Sequence, residues 1–146
     1  MKITILDGQG GGLGRALVKK IKEALPCELY AVGTNSAATA AMLSAGADFG
    51  ATGESAVIFA CRTSDVIIAP LGAAMPYSIL GEISPAMSEA LCLSGAHKIF
   101  LPYQKGCMEL VGLPELSLGA LIALAVDRLR EYLGAKEAVD LPTASK

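Results

Sequence analysis

A run of glycines near the start of the chain is the feature best suited to chemistry. Gly8, Gly10, Gly11, Gly12 and Gly14 occupy five of the seven positions from 8 to 14. Each ordered glycine costs roughly 0.5–1 kcal/mol relative to alanine, because glycine loses the most backbone freedom on folding. A plain turn needs fewer glycines. The excess therefore predicts close approach of backbone N–H groups to a phosphate at the positive end of a helix.

The spacing of these glycines indicates the kind of site. Gly8, Gly12 and Gly14 spell G-x-x-x-G-x-G, with Leu13 at the place where the G-x-G-x-x-G pattern has its last glycine. This spacing resembles the nucleotide-binding turn of short-chain dehydrogenases. The alternative is a tight turn that binds no ligand. The predicted nucleotide-binding residues of the turn are Gly8, Gln9, Gly10, Gly11, Gly12, Leu13 and Gly14.

The second half of a dinucleotide site departs from the usual pattern. An NAD site has an Asp or Glu after the second strand, where it binds the ribose hydroxyls. Here Gly33, Thr34, Asn35 and Ser36 follow that strand, and Arg15 is the nearest basic candidate for an NADP phosphate. Thr34 and Asn35 are predicted to lie near the ribose, with NAD or NADP as the candidate cofactor. Alternatively, Asn35 and Ser36 only cap the next helix.

The catalytic pair of the short-chain dehydrogenases is not convincingly present. These enzymes use Tyr-x-x-x-Lys on a helix, and the one such spacing joins Tyr132 to Lys136. It lies at the end of the last predicted helix and contains Gly134. Tyr77 and Tyr103 have no Lys four residues later. The sequence therefore argues against this catalysis.

Several polar residues are nevertheless predicted at the carboxyl edge of the sheet. Asp7, Glu54, Glu82 and Tyr103 are the candidates if the protein is a small oxidoreductase whose site is completed across a homodimer interface. A Glu in the first turn of a helix is more often a partner of the helix dipole. An Asp before a glycine turn is more often a turn residue.

Neither a cysteine nucleophile nor a metal site is expected. Cys107 could act as a nucleophile, but His97, the only histidine, is predicted at the opposite edge of the sheet. A small apolar packing role is therefore the expectation for Cys107. One histidine and dispersed cysteines supply no metal-ligating pattern.

Alternating strands and helices position these residues. The predicted strands are Lys2–Leu6, Glu28–Val32, Ala47–Ala51, Asp65–Pro70 and His97–Pro102. The predicted helices run from Leu13 to Pro26, from Ser36 as cap to Ala45, over Gly53–Thr63 with Thr52 as cap, from Pro85 to Ser94, and from Leu116 or Ser117 to about Leu133. Such alternation predicts an α/β protein, a Rossmann-like three-layer α/β/α sandwich with a mostly parallel sheet.

A last strand is predicted over Cys107–Val111. Only residues 103–106 separate it from the preceding strand, which permits a hairpin but no crossover helix. The strand is therefore expected to be antiparallel, giving a sheet of about six strands.

Composition limits the classes of protein. At 146 residues, 53% hydrophobic and 18% charged, the chain predicts one domain over residues 1–133 and a polar tail over 134–146. The net charge of −2 gives no electrostatic footprint for nucleic acid. No apolar stretch is long enough for a membrane span. With no targeting segment and scattered cysteines, a cytoplasmic location is expected.

The final helix carries an excess of apolar residues. Between Leu116 and Leu129 they cover well over half of the helix circumference, more than packing on a sheet requires. This predicts a homo-oligomer that associates through the C-terminal helix. Deep burial within the monomer is the alternative.

Several longer motifs resemble an uncharacterised prokaryotic family, domain of unknown function 3842. They are GQGGG at 8–12, GTNSAAT at 33–39, AGADFGATGE at 45–54, LGEISP at 80–85 and the segment Cys107–Gly112. The resemblance implies a Rossmann-like fold and no established activity. The leading hypothesis is a small nucleotide-binding protein with a binding or regulatory role. The alternatives are the small oxidoreductase and a ligand-free assembly scaffold.

Overall fold

A computed structural model describes residues 1–103 and 108–140. Its strands are β1 (Ile3–Asp7), β2 (Leu29–Gly33), β3 (Phe49–Thr52), β4 (Val66–Pro70) and β5 (His97–Leu101). Its α-helices are α1 (Gly12–Ala24), α2 (Ser36–Ser44), α3 (Glu54–Thr63), α4 (Pro85–Leu93) and α5 (Leu118–Asp140). A short 3-10 helix, Leu71–Ala74, follows β4 directly.

The strands form one parallel sheet in the order β3-β2-β1-β4-β5. Every residue of β1 and β4 is buried, because helices cover both faces of the sheet. Helices α1, α2 and α5 contribute to the core on one face, and α3 and α4 to the core on the other. The predicted Rossmann-like parallel sheet between two helical layers is confirmed.

The strand order decides where a ligand is expected. The chain runs outward from β1 to β2 and β3, then returns to place β4 on the other side of β1. The carboxyl ends of β1 and β4 thus flank the switch point, the usual binding position in open α/β sheets.

The prediction of a sixth, antiparallel strand is wrong for the part of the chain that the structure describes. There the sheet has five strands, all parallel, and residues 108–110 form no strand. Val111 lies in a turn and is fully exposed, so its apolar side chain does not face a core. A short apolar run has no periodicity that separates a strand from an irregular segment. Cys107 itself lies outside the described residues.

The last helix extends beyond its predicted end near Leu133. It begins at Leu118, after Ser117 accepts a hydrogen bond from the Ala120 backbone N–H, and continues through Gly134 to Asp140. A helical glycine costs about 1 kcal/mol relative to alanine, and the good helix formers of residues 135–138 offset that cost.

Two helix caps also differ from prediction. Asn35, and not Ser36, caps α2: its side chain accepts a hydrogen bond from the Ala38 backbone N–H. At α3 the cap position is Gly53, with φ 97°, while Thr52 belongs to β3. Among the described helices, none is long and apolar enough to span a bilayer.

Candidate functional site

The glycine-rich turn joins the carboxyl end of β1 to the first turn of α1. The Gly11 backbone N–H donates to the Gly8 carbonyl at 2.9 Å, and Gln9 and Gly11 both adopt left-handed backbone conformations. Gly11 occupies the cap position of α1 and has no side chain to cap the helix. The N-terminus of α1 is therefore left without a side-chain acceptor at its cap.

Two glycines of the turn serve packing. A Cβ on Gly11 would lie 2.7 Å from Ala38 Cα, in backbone that also has φ 71°. A Cβ on Gly14 would lie 2.5 Å from Met42 Sδ and 2.9 Å from Asp7 Cβ. Gly11 and Gly14 thus allow α1 to approach both α2 and β1, as the last glycine of dinucleotide-binding turns does.

Gly10 and Gly12 have no such packing role. A Cβ on either would have no described atom within 4 Å, and neither has a left-handed φ. Within the described residues, the backbone N–H groups of Gly10, Gly12 and Leu13 donate no hydrogen bond. Helix dipoles place partial positive charge at such N–H groups. The surface of the turn can therefore accept an anion.

A cleft of about 700 Å³ opens beside these N–H groups, at the switch point between β1 and β4. This volume lies within the range of small-molecule sites, which is roughly 300–1,000 Å³. Its walls are the glycine-rich turn, the segment that follows β4, and apolar residues near the start of α5. The lining residues are Asp7, Gly8, Gln9, Gly10, Gly12, Leu13, Pro70, Gly72, Met75, Pro76, Tyr77, Ser78, Ile79, Leu80, Tyr103, Met108 and Leu118.

Asp7 anchors the turn from below. Its buried carboxylate accepts hydrogen bonds from the backbone N–H groups of Gly8, at 2.8 Å, and Gly14, at 2.6 Å. Burial raises the pKa of this carboxyl above its ordinary value, the two hydrogen bonds oppose that rise, and the charge of Glu82 adds to it. Asp7 therefore holds both ends of the turn in place at the floor of the cleft.

Glu82 binds the outer side of the same turn. Its Oε2 accepts hydrogen bonds from the Gln9 backbone N–H at 2.8 Å, from Thr34 Oγ1 at 2.5 Å and from Asn35 Nδ2 at 3.2 Å. Burial acts to raise the pKa of Glu82, but the hydrogen bonds outweigh it and lower the pKa. A Cβ on Gly8 would lie 2.7 Å from Glu82 Oε2, so Gly8 makes room for this carboxylate.

Thr34 and Asn35 lie at the end of β2, as predicted, but they contact Glu82. Asn35 Nδ2 also donates to the Gln9 carbonyl at 2.8 Å, while its Oδ1 caps α2. In the described part of the chain, the cleft wall includes neither Thr34 nor Asn35. The sequence has no carboxylate directly after β2, but Glu82, from the segment before α4, places one there.

The four residues predicted for an oxidoreductase site do not all lie at the cleft. Asp7 and Tyr103 line the cleft, and Glu82 lies beside it across the turn. Glu54 instead accepts a hydrogen bond from Ser84 Oγ at the N-termini of α3 and α4.

The other candidates lie away from the cleft or outside the structure. His97 begins β5, at the amino edge, and stacks on Tyr132 with ring centroids 4.1 Å apart. Arg15 is exposed on α1. Cys107 lies outside the described residues, and no group of three or more described His, Cys, Asp or Glu residues could hold a metal ion.

Sequence reasoning missed the wall formed by residues 75–80. This segment has no clear helical or strand periodicity, and the sequence predicts only irregular chain or a short helix over residues 71–83. The one signal was the LGEISP motif, which contains Leu80 and Glu82.

The chain is similar to a family of proteins and to a solved structure. The family model described as "Domain of unknown function (DUF3842)" matches residues 2–134. A solved nucleoside-diphosphate-sugar epimerase from Pseudomonas aeruginosa is similar over 88% of this chain and 47% of its own, with 14% identity and a TM-score of 0.46. The chain thus spans about half the length of that protein. No curated protein matches the sequence. The chain belongs to the DUF3842 family.

Proposed function

We propose that this protein binds a nucleotide, with a phosphate group on the backbone N–H groups of Gly10, Gly12 and Leu13. The supporting observation is that these three groups border a cleft and donate to no described acceptor. Two of them belong to glycines that neither packing nor backbone conformation requires. A phosphate oxygen would supply the missing acceptors and would interact favourably with the α1 dipole.

The rest of the cleft suits the remainder of such a ligand. Its walls are mainly apolar and include Met75, Tyr77, Ile79 and Tyr103. Apolar walls of this kind can cover a base or a sugar, while a few polar groups fix the orientation. NAD and NADP stay predictions from the sequence, because Thr34 and Asn35 contact Glu82 and do not line the cleft.

A binding or regulatory role is favoured over catalysis. Asp7, the carboxylate in the cleft, already accepts two backbone hydrogen bonds and holds the turn. That arrangement suits a structural anchor better than a group that transfers a proton to a ligand.

Self-association through α5 and a cytoplasmic location stay predictions. Within one chain, Ile122, Ala125, Val126 and Leu129 are buried, whereas Leu124 is 47% exposed. Most of the apolar excess on α5 therefore has a place in the monomer, and Leu124 marks the part that a second copy would cover. Sedimentation equilibrium of the wild type and of Leu124→Glu tests this. If Leu124 lies in a dimer interface, the introduced charge should reduce the fraction of dimer.

The test of nucleotide binding is a thermal-shift panel followed by isothermal titration calorimetry. The panel contains AMP, UMP, ATP, NAD, NADP, FAD and S-adenosylmethionine. A bound ligand raises Tm, because it stabilises only the folded state. At least one nucleotide is expected to raise Tm. Gly12→Val should abolish that shift, because its side chain would project into the cleft.

The matched control is Gly95→Val. Gly95 precedes β5, far from the carboxyl edge, and also has open space around it without a left-handed φ. This variant should keep the ligand response of the wild type. If no nucleotide raises Tm, or if Gly12→Val binds as the wild type does, the proposal is wrong.

A further inference from the structure

The segment from Met75 to Ile83, here named the strap, crosses the carboxyl end of β1. It leaves the 3-10 helix after β4, on one side of β1, and brings Glu82 to Thr34 at the end of β2, on the other. Along the way, Ile79 covers the turn: its Cγ2 lies 3.1 Å from the position of a Cβ on Gly8. The strap therefore covers the path from the glycine-rich turn to β2.

The backbone of the strap is unusual. Tyr77, Ile79 and Leu80 all have left-handed φ angles, of 65°, 54° and 56°. For a β-branched residue such as Ile79 this conformation is a genuine outlier, so surrounding contacts must maintain it. Leu80 is 92% exposed and Tyr77 is 72% exposed, so these two side chains do not hold the strap, whereas Ile83 is buried and Ile79 packs against the core on the side of α3 and α4.

Two kinds of hydrogen bond hold the strap. Some are internal, including the one from the Tyr77 backbone N–H to the Ile83 carbonyl at 2.7 Å. Ser78 Oγ also donates to the Gly72 carbonyl, which ties the strap to its own stem. The hydrogen bonds that reach across β1 are those of the Glu82 carboxylate with Gln9, Thr34 and Asn35.

We propose that Glu82 latches the strap over the turn and thereby selects the size of the ligand. The closed cleft takes a mononucleotide, whose phosphate contacts the turn while the sugar and base remain on the β4 side. A dinucleotide is excluded, because its second half must cross the turn to Thr34 and Asn35. This inference rests on the nucleotide-binding function proposed above and names the class of nucleotide.

Two observations and one general rule of dinucleotide-binding folds support this selection. The cleft lies on the β4 side and, in the described residues, its wall includes none of Glu82, Thr34 and Asn35. In dinucleotide-binding folds the ribose of one half lies at the end of β2. Here that position is already occupied by the Glu82 carboxylate, which takes the side-chain donors of Thr34 and Asn35 that a ribose would need.

The first measurement concerns the strap without any ligand. Hydrogen exchange of peptides that cover residues 75–83 is compared for the wild type, Glu82→Ala and Glu89→Ala. Glu89 is exposed on α4 and serves as the matched control. Exchange in the strap should be at least about tenfold faster in Glu82→Ala and unchanged in Glu89→Ala, because local opening governs exchange. Equal exchange in all three proteins refutes the latch.

The second measurement is calorimetry with AMP, UMP, NAD and NADP on the same proteins. The wild type should bind one of the mononucleotides at least about tenfold more tightly than either dinucleotide. Glu82→Ala should tighten dinucleotide binding by about tenfold and change mononucleotide affinity by less than about threefold. Glu89→Ala should match the wild type.

The outcomes separate the two proposals. A wild type that binds NAD as tightly as its best mononucleotide refutes size selection. So does a Glu82→Ala variant that loses NAD affinity, since Glu82 would then be a ligand contact. If the strap opens in Glu82→Ala but no protein binds any nucleotide, the proposed function and the size selection both fail, while the Glu82 latch itself stands.

Discussion

Glu82 accepts a hydrogen bond from the backbone N–H of Gln9 at 2.8 Å, although the two residues are 73 positions apart. This contact joins the segment after β4 to the glycine-rich turn after β1. It gives the turn a protein carboxylate on one side, while the N–H groups of Gly10, Gly12 and Leu13 remain on the side of the cleft. The two sides of one turn therefore have different roles.

Gly14, which is closely packed, and Gly12, which faces open space, should respond differently to substitution. Gly14→Ala should lower the free energy of unfolding by about 1–3 kcal/mol, because the new methyl group would overlap Met42 Sδ and Asp7 Cβ. Gly12→Ala should leave it unchanged or raise it by up to about 1 kcal/mol, since its Cβ meets open space. Urea unfolding measures both. Equal losses for the two variants would contradict the division of roles.

Asp7→Asn should destabilise the protein. An amide can accept at only one of its two positions, so its NH₂ group would face a backbone N–H of either Gly8 or Gly14. Leaving one buried donor unsatisfied costs about 1–3 kcal/mol. Urea unfolding near neutral pH measures the loss. A loss as small as that of Glu89→Gln, at an exposed position of α4, would show that the two hydrogen bonds do not hold the turn.

The pH dependence of stability should have opposite signs for Asp7 and Glu82. The pKa of Glu82 is lowered by folding, so its contribution is present above the ordinary value of 4.5 and is lost as pH falls through the folded pKa. The pKa of Asp7 is raised by folding, so the free energy of unfolding falls as pH rises from 3.8 to the folded pKa.

Glu82→Gln isolates the first of these effects. Compared with the wild type, it should lose less stability on acidification, because the group that titrates has been removed. Urea unfolding from about pH 3 to about pH 6 covers the range in which carboxyl groups titrate. Parallel pH profiles for the two proteins would show that Glu82 is not held by these hydrogen bonds.

The identity of the α2 cap is open to a direct test. Asn35→Ala should lower the free energy of unfolding by about 0.5–2 kcal/mol, because it removes the acceptor for the Ala38 N–H. Ser36→Ala should change it by less than about 0.5 kcal/mol, because Ser36 is exposed in the first turn of the helix and is not the cap. Chemical unfolding of both variants decides between them. A larger loss for Ser36→Ala would reverse the assignment.

The errors made from sequence have local causes. The apolar residues near Val111 satisfied a strand pattern, yet a strand also needs a neighbour with free backbone groups, which no local pattern reveals. Asn35 and Ser36 are both good caps, and only the extended backbone of Asn35 gives it the required geometry. The sequence predicts that α5 ends before Gly134. The free-energy cost of a glycine in a helix is small, however, and the high helix propensity of the residues that follow offsets it.

The sequence by itself determined the alternation of strands and helices, the parallel sheet, and the glycine-rich turn between β1 and α1. These features depend on residue periodicity and on turn residues close together in the chain. Only the tertiary structure decided which glycines pack and which face the cleft, because that depends on Ala38 and Met42 of another helix. It also decided that Glu82 supplies the carboxylate at the end of β2. Contacts between residues so distant in sequence depend on how the helical layers pack on the sheet, and local sequence patterns do not predict them.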